Sequence, residues 1–415
     1  MNNLVYLQHK ITVMKHFLTL LGLLIMVCSC SKDEAEQEYV VPARRTVIVY
    51  MAGENSLSYA LQEDLVEMTK GRKLVGKDED LVVFVDQASS TEKPYIARIT
   101  NNGEIKKLYE YPTDFYCSDA DNFNEVLSRC IQLCPATEDY GLVLWGHASG
   151  CMIEKDSVDN STYNARRAYG VDNGNNIASN DGKWINIPSI RETFSSLGIK
   201  WKFILFDCCN MMNIETIYEL KDYADFMIGS PAEIPGKGAP YNTIIPTLYL
   251  RTDDFYKNIV DTYSSSYQNR VVLSAVNTSK INELSSITKQ YLPQINEYVK
   301  STSLYDHIYY HAIKVNGTRR AILHDMREVA YKALSPNDYN NWINAFNNVV
   351  VYTYYSPIWI TNGTVYFDFE MSEEYWGGIS MFFPMSKYGS DENSPNLTIK
   401  KMGWYYAVGW SELGW

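Results

Sequence analysis

A histidine that follows one apolar run and two adjacent cysteines that follow another are the residues of this 415-residue chain best placed to do chemistry. Leu142 to Trp145 leads into Gly146-His147-Ala148-Ser149-Gly150, and Phe203 to Phe206 leads into Asp207-Cys208-Cys209. A free thiol with a pKa of about 8.5 is only slightly ionised at neutral pH, so a cysteine nucleophile needs a neighbouring base or cation. His147 is the histidine in matching context. Together they make the arrangement of a Cys/His hydrolase.

The elements that must position these groups follow from the runs themselves. Short, continuously apolar segments read as parallel strands buried on both faces, and reactive groups in such sheets gather where the strands end. After the cysteines, Met211, Met212, Ile214, Ile217, Tyr218 and Leu220 recur near helical period. The thiols therefore sit between a strand and a helix N-terminus, which favours a thiolate. Upstream, Thr46 to Met51 and Leu81 to Val85 read as strands, Leu57 to Met68 and Ala120 to Leu133 as helices. Asn101-Asn102-Gly103 reads as the turn of a hairpin between Tyr95 to Thr100 and Lys107 to Tyr111. The alternation predicts an α/β fold with a mostly parallel sheet flanked by helices. Downstream, helices are expected over Ile244 to Ile259, Leu284 to Val299, Arg327 to Leu334 and Asn341 to Val349. Strands are expected over Val271 to Val276, Val350 to Tyr355, Gly363 to Phe369 and Ile379 to Phe383. These make a C-terminal α+β lobe, 251–415, partly packed on the main sheet.

The pair L-V-L-W-G-H-A-S-G and F-D-C-C-N-M resembles the clostripain family of cysteine peptidases, whose fold is caspase-like. T-V-I-V-Y-M-A-G-E-N-S-L at Thr46 to Leu57 and G-G-I-S-M-F-F-P at Gly377 to Pro384 extend the resemblance from about Arg45 onward. It implies a peptidase domain over 45–250 and an endopeptidase working through a thioester. Cys209 matches the nucleophile of F-D-x-C-x-M, Cys208 the variable position, and His147 the catalytic partner. Backbone N–H groups of Ala148 and Cys209 would form the oxyanion hole; the family usually has glycine at the first, and alanine resists positive φ. Asp207 matches the aspartate of the primary specificity pocket, which selects Arg, or Lys, and could equally cap the following helix. Ser230 and Glu233 lie in the loop Ser230 to Gly238 that borders substrate in the family, and Ala239 replaces a common tryptophan. Family members are cut at a basic residue in a polar segment such as Cys151 to Lys183, which points to self-processing after Arg166 or Arg167. No cofactor is required by the resemblance; calcium is admitted as an activator, although Asp119, Asp121, Asp156 and Asp159 are too scattered to form a metal site.

Composition bounds the rest. With 46% hydrophobic and 21% charged residues the chain has material for a large core, and a formal charge of −12 argues against nucleic acid as a partner. Lys15-His16 and the apolar Phe17 to Val27 read as a signal peptide over residues 1–29, with Met14 an alternative start. Val27-Cys28-Ser29-Cys30 resembles a bacterial lipobox, which makes Cys30 the lipidated residue and 30–44 a tether. The acidic run after it resembles the signal for display on the outer membrane surface, with the periplasmic face as the alternative. The expected partners are protein or peptide substrates bearing Arg or Lys, and a membrane through the lipid anchor. A rival from another class is a catalytically silent surface lipoprotein that binds peptide or glycan. A third reading takes His307 and His311, spaced i, i+4, as a zinc helix, though no glutamate completes H-E-x-x-H. Cys117 and Cys151 could join in a disulfide; Cys130 and Cys134 read as core.

Overall fold

The computed structural model describes residues 41–152, 168–174, 182–268, 270–315, 317–360, 366–368, 372–390 and 394–415. In chain order the elements are β1 (Ala43–Gly53), α1 (Ser58–Arg72), β2 (Asp80–Gln87), β3 (Tyr95–Ile99), β4 (Ile105–Glu110), α2 (Ala120–Leu133), β5 (Ala136–Trp145), β6 (Tyr169–Asp172), β7 (Lys183–Ile185), α3 (Ile187–Leu197), β8 (Trp201–Asp207), α4 (Ile214–Leu220) and β9 (Ala224–Gly229). Then follow α5 (Tyr241–Thr247), α6 (Phe255–Ser265), β10 (Leu273–Asn277), α7 (Ile281–Thr302), β11 (Tyr309–Val315), β12 (Thr318–Asp325), α8 (Met326–Ala333), α9 (Pro336–Val349), β13 (Val350–Tyr354), β14 (Ile358–Ile360), β15 (Tyr366–Asp368) and β16 (Ser380–Phe382).

Nine strands form one sheet in the order β13-β10-β9-β8-β5-β1-β2-β3-β4. The five central strands, β9, β8, β5, β1 and β2, run parallel, and antiparallel pairs close both edges. This is the expected α/β architecture, a mostly parallel sheet flanked by helices. Strand order reverses between β1 and β5, and the segments after β1, β5, β8 and β9 all emerge at one edge. That crevice is where open sheets collect ligands.

Alternation along the strands fills two cores. Leu142, Leu144, Ile204 and Phe206 point to the face covered by α2, α3 and α4, while Val143, Trp145, Phe203 and Leu205 point to that of α1, α5 and α6. Each such fully buried side chain contributes about 1.5–3 kcal/mol. The same period of two sends Asp207 to the α1/α5/α6 face and Cys208 to the other.

One segment departs from expectation. Ile244 to Ile259 is not one helix: α5 stops at Thr247 and α6 starts at Phe255. The polar Thr252-Asp253-Asp254 between them offers no apolar face to bury. Gly377 to Pro384 does not enter the main sheet; its β16 pairs with β12 in a three-stranded sheet, and Ser380 donates its backbone N–H to Met212 O at 3.0 Å. Residues 42–415 form one compact unit, with β10 and β13 completing the main sheet. Residues 1–40, which hold the expected signal peptide and Cys30, and Arg166 and Arg167 lie outside the described residues. Among the described residues, no helix is long and apolar enough to cross a membrane.

Candidate active site

β5 and β8 are parallel neighbours with Trp145 opposite Asp207, so His147 and Cys209 each stand two residues beyond that pair. A 3.4 Å bond from Gly146 N to Asp207 O carries the register past the strand ends. Of the two cysteines, Cys208 is fully buried among Phe206, Met211 and Met212, whereas Cys209 is partly exposed. Only Cys209 can meet a substrate.

The Cys209 thiol accepts the Ile234 N–H at 3.4 Å. Burial, and then the charge of Glu233, push its pKa up to about 12, against the pull of that N–H. The thiol is therefore protonated in this state. His147 is partly exposed, and its Nε2 lies 2.8 Å from Ser56 Oγ, in the turn after β1. Ser56 was not singled out in the sequence; its only signal was its place in the A-G-E-N-S-L stretch.

The histidine loop rests on β6. Gly170 N donates to His147 O at 2.8 Å and Ser149 N to Ala168 O at 3.0 Å, while Ala148 pairs with Tyr169 between them. In such an antiparallel bridge the flanking residues make the bonds, so the Ala148 N–H points away from β6. Positive φ falls on Gly146 and Gly150, at +146° and +80°, and not on Ala148. Alanine is thus no obstacle to this loop.

The segment after β9 is fastened to the nucleophile turn. Asn210 N donates to Ala232 O at 2.9 Å and Met212 N to Ser230 O at 3.1 Å. Ser230 is buried, and its hydroxyl accepts Ala232 N at 3.0 Å, so this side chain serves its own loop. Glu233 is partly exposed and bridges Ile360 through its backbone. Asn210 holds φ +60°, a left-handed geometry that asparagine tolerates, and its Nδ2 lies 3.4 Å from His311 Nδ1.

Asp207 lies beneath the strand ends, 2% exposed. Tyr263 donates to its Oδ1 at 2.7 Å, and Tyr241 and Ala239 N donate to its Oδ2 at 2.7 and 3.1 Å. It does not cap α4, whose N-terminus is held by Asn213 accepting Thr216 N. Burial raises the carboxyl, and these three donors oppose the shift. Asp64 of α1 is a second acid on this face: burial and then Asp207 push it up to about 8, while Trp145 Nε1 donates to it at 2.7 Å. Asp64, Tyr241 and Tyr263 carried no signal in the sequence, because only the folded sheet brings them to Asp207.

The zinc-helix reading is overturned. His311 lies in strand β11 and His307 just before it, so the helical i, i+4 geometry is missing. His307 Nε2 is 2.8 Å from Tyr298 Oη, and burial pulls both imidazoles down to about 4. Cys117, Cys130, Cys134 and Cys151 are buried free thiols, so the Cys117–Cys151 disulfide does not form.

The sequence model of the clostripain family matches residues 49–415. No curated protein matches the chain. Among solved structures, a secreted C11 cysteine protease from Bacteroides thetaiotaomicron, in complex with an irreversible peptide inhibitor, is 25% identical with TM-score 0.72, covering 89% of this chain and 100% of its own. An inactive zymogen C11 protease from Parabacteroides distasonis is 21% identical with TM-score 0.71, over 89% of this chain and 99% of its own.

Proposed function

Because the chain belongs to the clostripain family of cysteine peptidases, we propose that it cleaves peptide bonds after arginine or lysine, with Cys209 as nucleophile and His147 as base and then acid. The observation that carries this reading is the register of β5 on β8, which aligns the two residues at one sheet edge. His147 takes the thiol proton, and Sγ attacks the scissile carbonyl carbon. The carbonyl π pair moves to oxygen, where the N–H groups of Ala148 and Cys209 receive it. As the C–N bond breaks, the imidazolium gives its proton to the leaving amine. Water, deprotonated by His147, then hydrolyses the thioester and releases Cys209.

The basic preference is supported by the buried acid Asp207 on the sheet face below the nucleophile. A carboxylate offers about four acceptor sites, and Asp207 has three engaged by Tyr241, Tyr263 and Ala239. A bidentate clamp that would prefer the guanidinium fork is then lacking, so charge selects and both basic residues are accepted.

Self-processing after Arg166 or Arg167 extends the proposal. It is supported by the protonated thiol of the uncut chain and by the likeness to the Parabacteroides zymogen. Lipidation at Cys30, with attachment to the outer membrane, completes it and is checked by incorporation of labelled palmitate that Cys30→Ala abolishes.

The test of the activity is hydrolysis of matched fluorogenic peptides ending in Arg, Lys, Asp or Leu. Turnover of the basic pair that vanishes in Cys209→Ala is the expected result. Equal turnover of all four sinks the specificity, and no turnover after nicking within 151–183 favours a silent binder.

A further inference from the structure

Asn210, the residue after Cys209, is where four other parts of the site meet. Its N–H donates to Ala232 O at 2.9 Å, in the loop after β9, and its carbonyl accepts Asn213 Nδ2 at 2.8 Å. Asn213 Oδ1 accepts Thr216 N, which ties that carbonyl to the first turn of α4. From the histidine loop, Gly150 packs onto the same carbonyl, so closely that a Cβ there would stand 2.9 Å from Asn210 O. From β11, His311 Nδ1 lies 3.4 Å from Asn210 Nδ2.

These contacts need an uncommon backbone. With its N–H and carbonyl turned to different segments, Asn210 holds φ +60°, and it is 1% exposed. Glycine and asparagine reach that region readily, whereas the Cβ of alanine is pressed against the following carbonyl. The backbone alone would be served best by glycine, yet the chain carries an amide whose Oδ1 is buried without a partner. An orphaned acceptor in a dry place is a cost that something must offset. The Nδ2 contact is what offsets it. Burial, and then the charge of Arg319, hold His311 down to about 4, so its imidazole is neutral near pH 7 and Nδ1 can accept from the amide.

We propose that Asn210, braced by His311, is a positioning residue for the nucleophile. Its left-handed turn fixes the direction in which the chain leaves Cys209, and with it the seat of Sγ and the aim of the Cys209 N–H. Through Gly150 it also holds the nucleophile turn against the histidine loop. This role rests on the peptidase reading above.

The test is steady-state hydrolysis of an Arg peptide by the full chain and its variants. Asn210→Gly, which keeps the backbone but loses the amide, should lower kcat about threefold. Asn210→Ala, which keeps neither, should lower it by about thirtyfold or more, and both should hold KM within about twofold of the parent. His311→Ala should match the glycine variant, and His311→Gln, which again offers an acceptor, should recover most of the rate. Asn210→Gly combined with His311→Ala should fall no further than either alone. A second readout needs no turnover: iodoacetamide should label Cys209 about fivefold faster in Asn210→Ala than in the parent, because the thiol leaves the buried seat that keeps it protonated. In Asn210→Gly the labelling rate should stay within about twofold. An alanine variant with parental kcat or parental labelling, a glycine variant that falls as far as alanine, or additive losses at Asn210 and His311 would overturn the proposal, and the last of these decides it if the alanine variant fails to fold. A parent that hydrolyses no peptide while the labelling order holds sinks the peptidase reading and leaves the placement of Cys209 by Asn210 standing.

Discussion

Ser56 Oγ lies 2.8 Å from His147 Nε2, joining the turn after β1 to the loop after β5 across the point where strand order reverses. In the proposed mechanism Ser56 would be a positioning residue for the base.

Ser56→Ala should lower kcat about tenfold, the worth of one hydrogen bond, with KM nearly unchanged. The acidic limb of the kcat profile should shift, and Ser56→Thr should restore most of the rate. A KM defect with an unmoved pH profile would assign Ser56 to substrate contact instead.

Asp207→Asn should cut kcat/KM for Arg and Lys peptides by about a hundredfold without creating turnover of Leu peptides. It should also destabilise the fold by about 1–3 kcal/mol, because an amide cannot accept from both Tyr241 and Tyr263. Paired measurements of peptide kinetics and chemical denaturation separate the two effects. Retained basic selectivity would remove Asp207 from the pocket.

A thiol pushed up to about 12 is ionised in on the order of one molecule in ten thousand at pH 8. Iodoacetamide should therefore label Cys209 slowly in the uncut chain and at least tenfold faster after nicking within 151–183. Mass spectrometry of the labelled peptide reads both rates. Equal rates would mean that cutting does not activate the thiol.

Stability should fall as pH rises above neutrality and change less on the acid side, where opposing groups titrate. Burial raises Glu54 to about 10, and Asp64 and Glu215 to about 8, so above their ordinary values the native chain holds protons the unfolded chain has lost, and stability falls as pH rises. His307 and His311 are lowered to about 4 and His324 to about 3, so below pH of about 6.5 these imidazoles take up protons first in the unfolded chain and oppose the carboxyl trend. Tm should decline above pH 7, and Glu54→Gln should lessen that decline. A parent that gains stability from pH 7 to 9 would contradict the first part.

Much of the site was legible because its parts are local. The apolar runs before His147 and Cys209 announce β5 and β8, and the motif separates Cys209 from Cys208 as burial does. Helix α2 matches its expected span, Ala120 to Leu133, with Asp119 as its cap. What could not be read is what converges only in space. Ala232, Gly150 and His311 reach Asn210 from three segments, and Tyr241 and Tyr263 reach Asp207 only because alternation turns that carboxylate toward α5 and α6. The i, i+4 histidine spacing misled because strand and helix share it, and along a strand it separates the rings by roughly 13 Å.

The seat of β6 also makes the two neighbouring arginines unequal. Ala168 is fully buried and its carbonyl receives Ser149 N. A cut after Arg167 would turn that residue into a charged amine in a dry place, an expense of several kcal/mol unless the amine leaves or finds an anion. A cut after Arg166 puts the new amine on Arg167, one residue before the buried Ala168. The first product would release the strand that cradles His147, and the second would keep it, so, were the proposed self-processing to occur, the position of one bond would decide whether it loosens the histidine loop or preserves it.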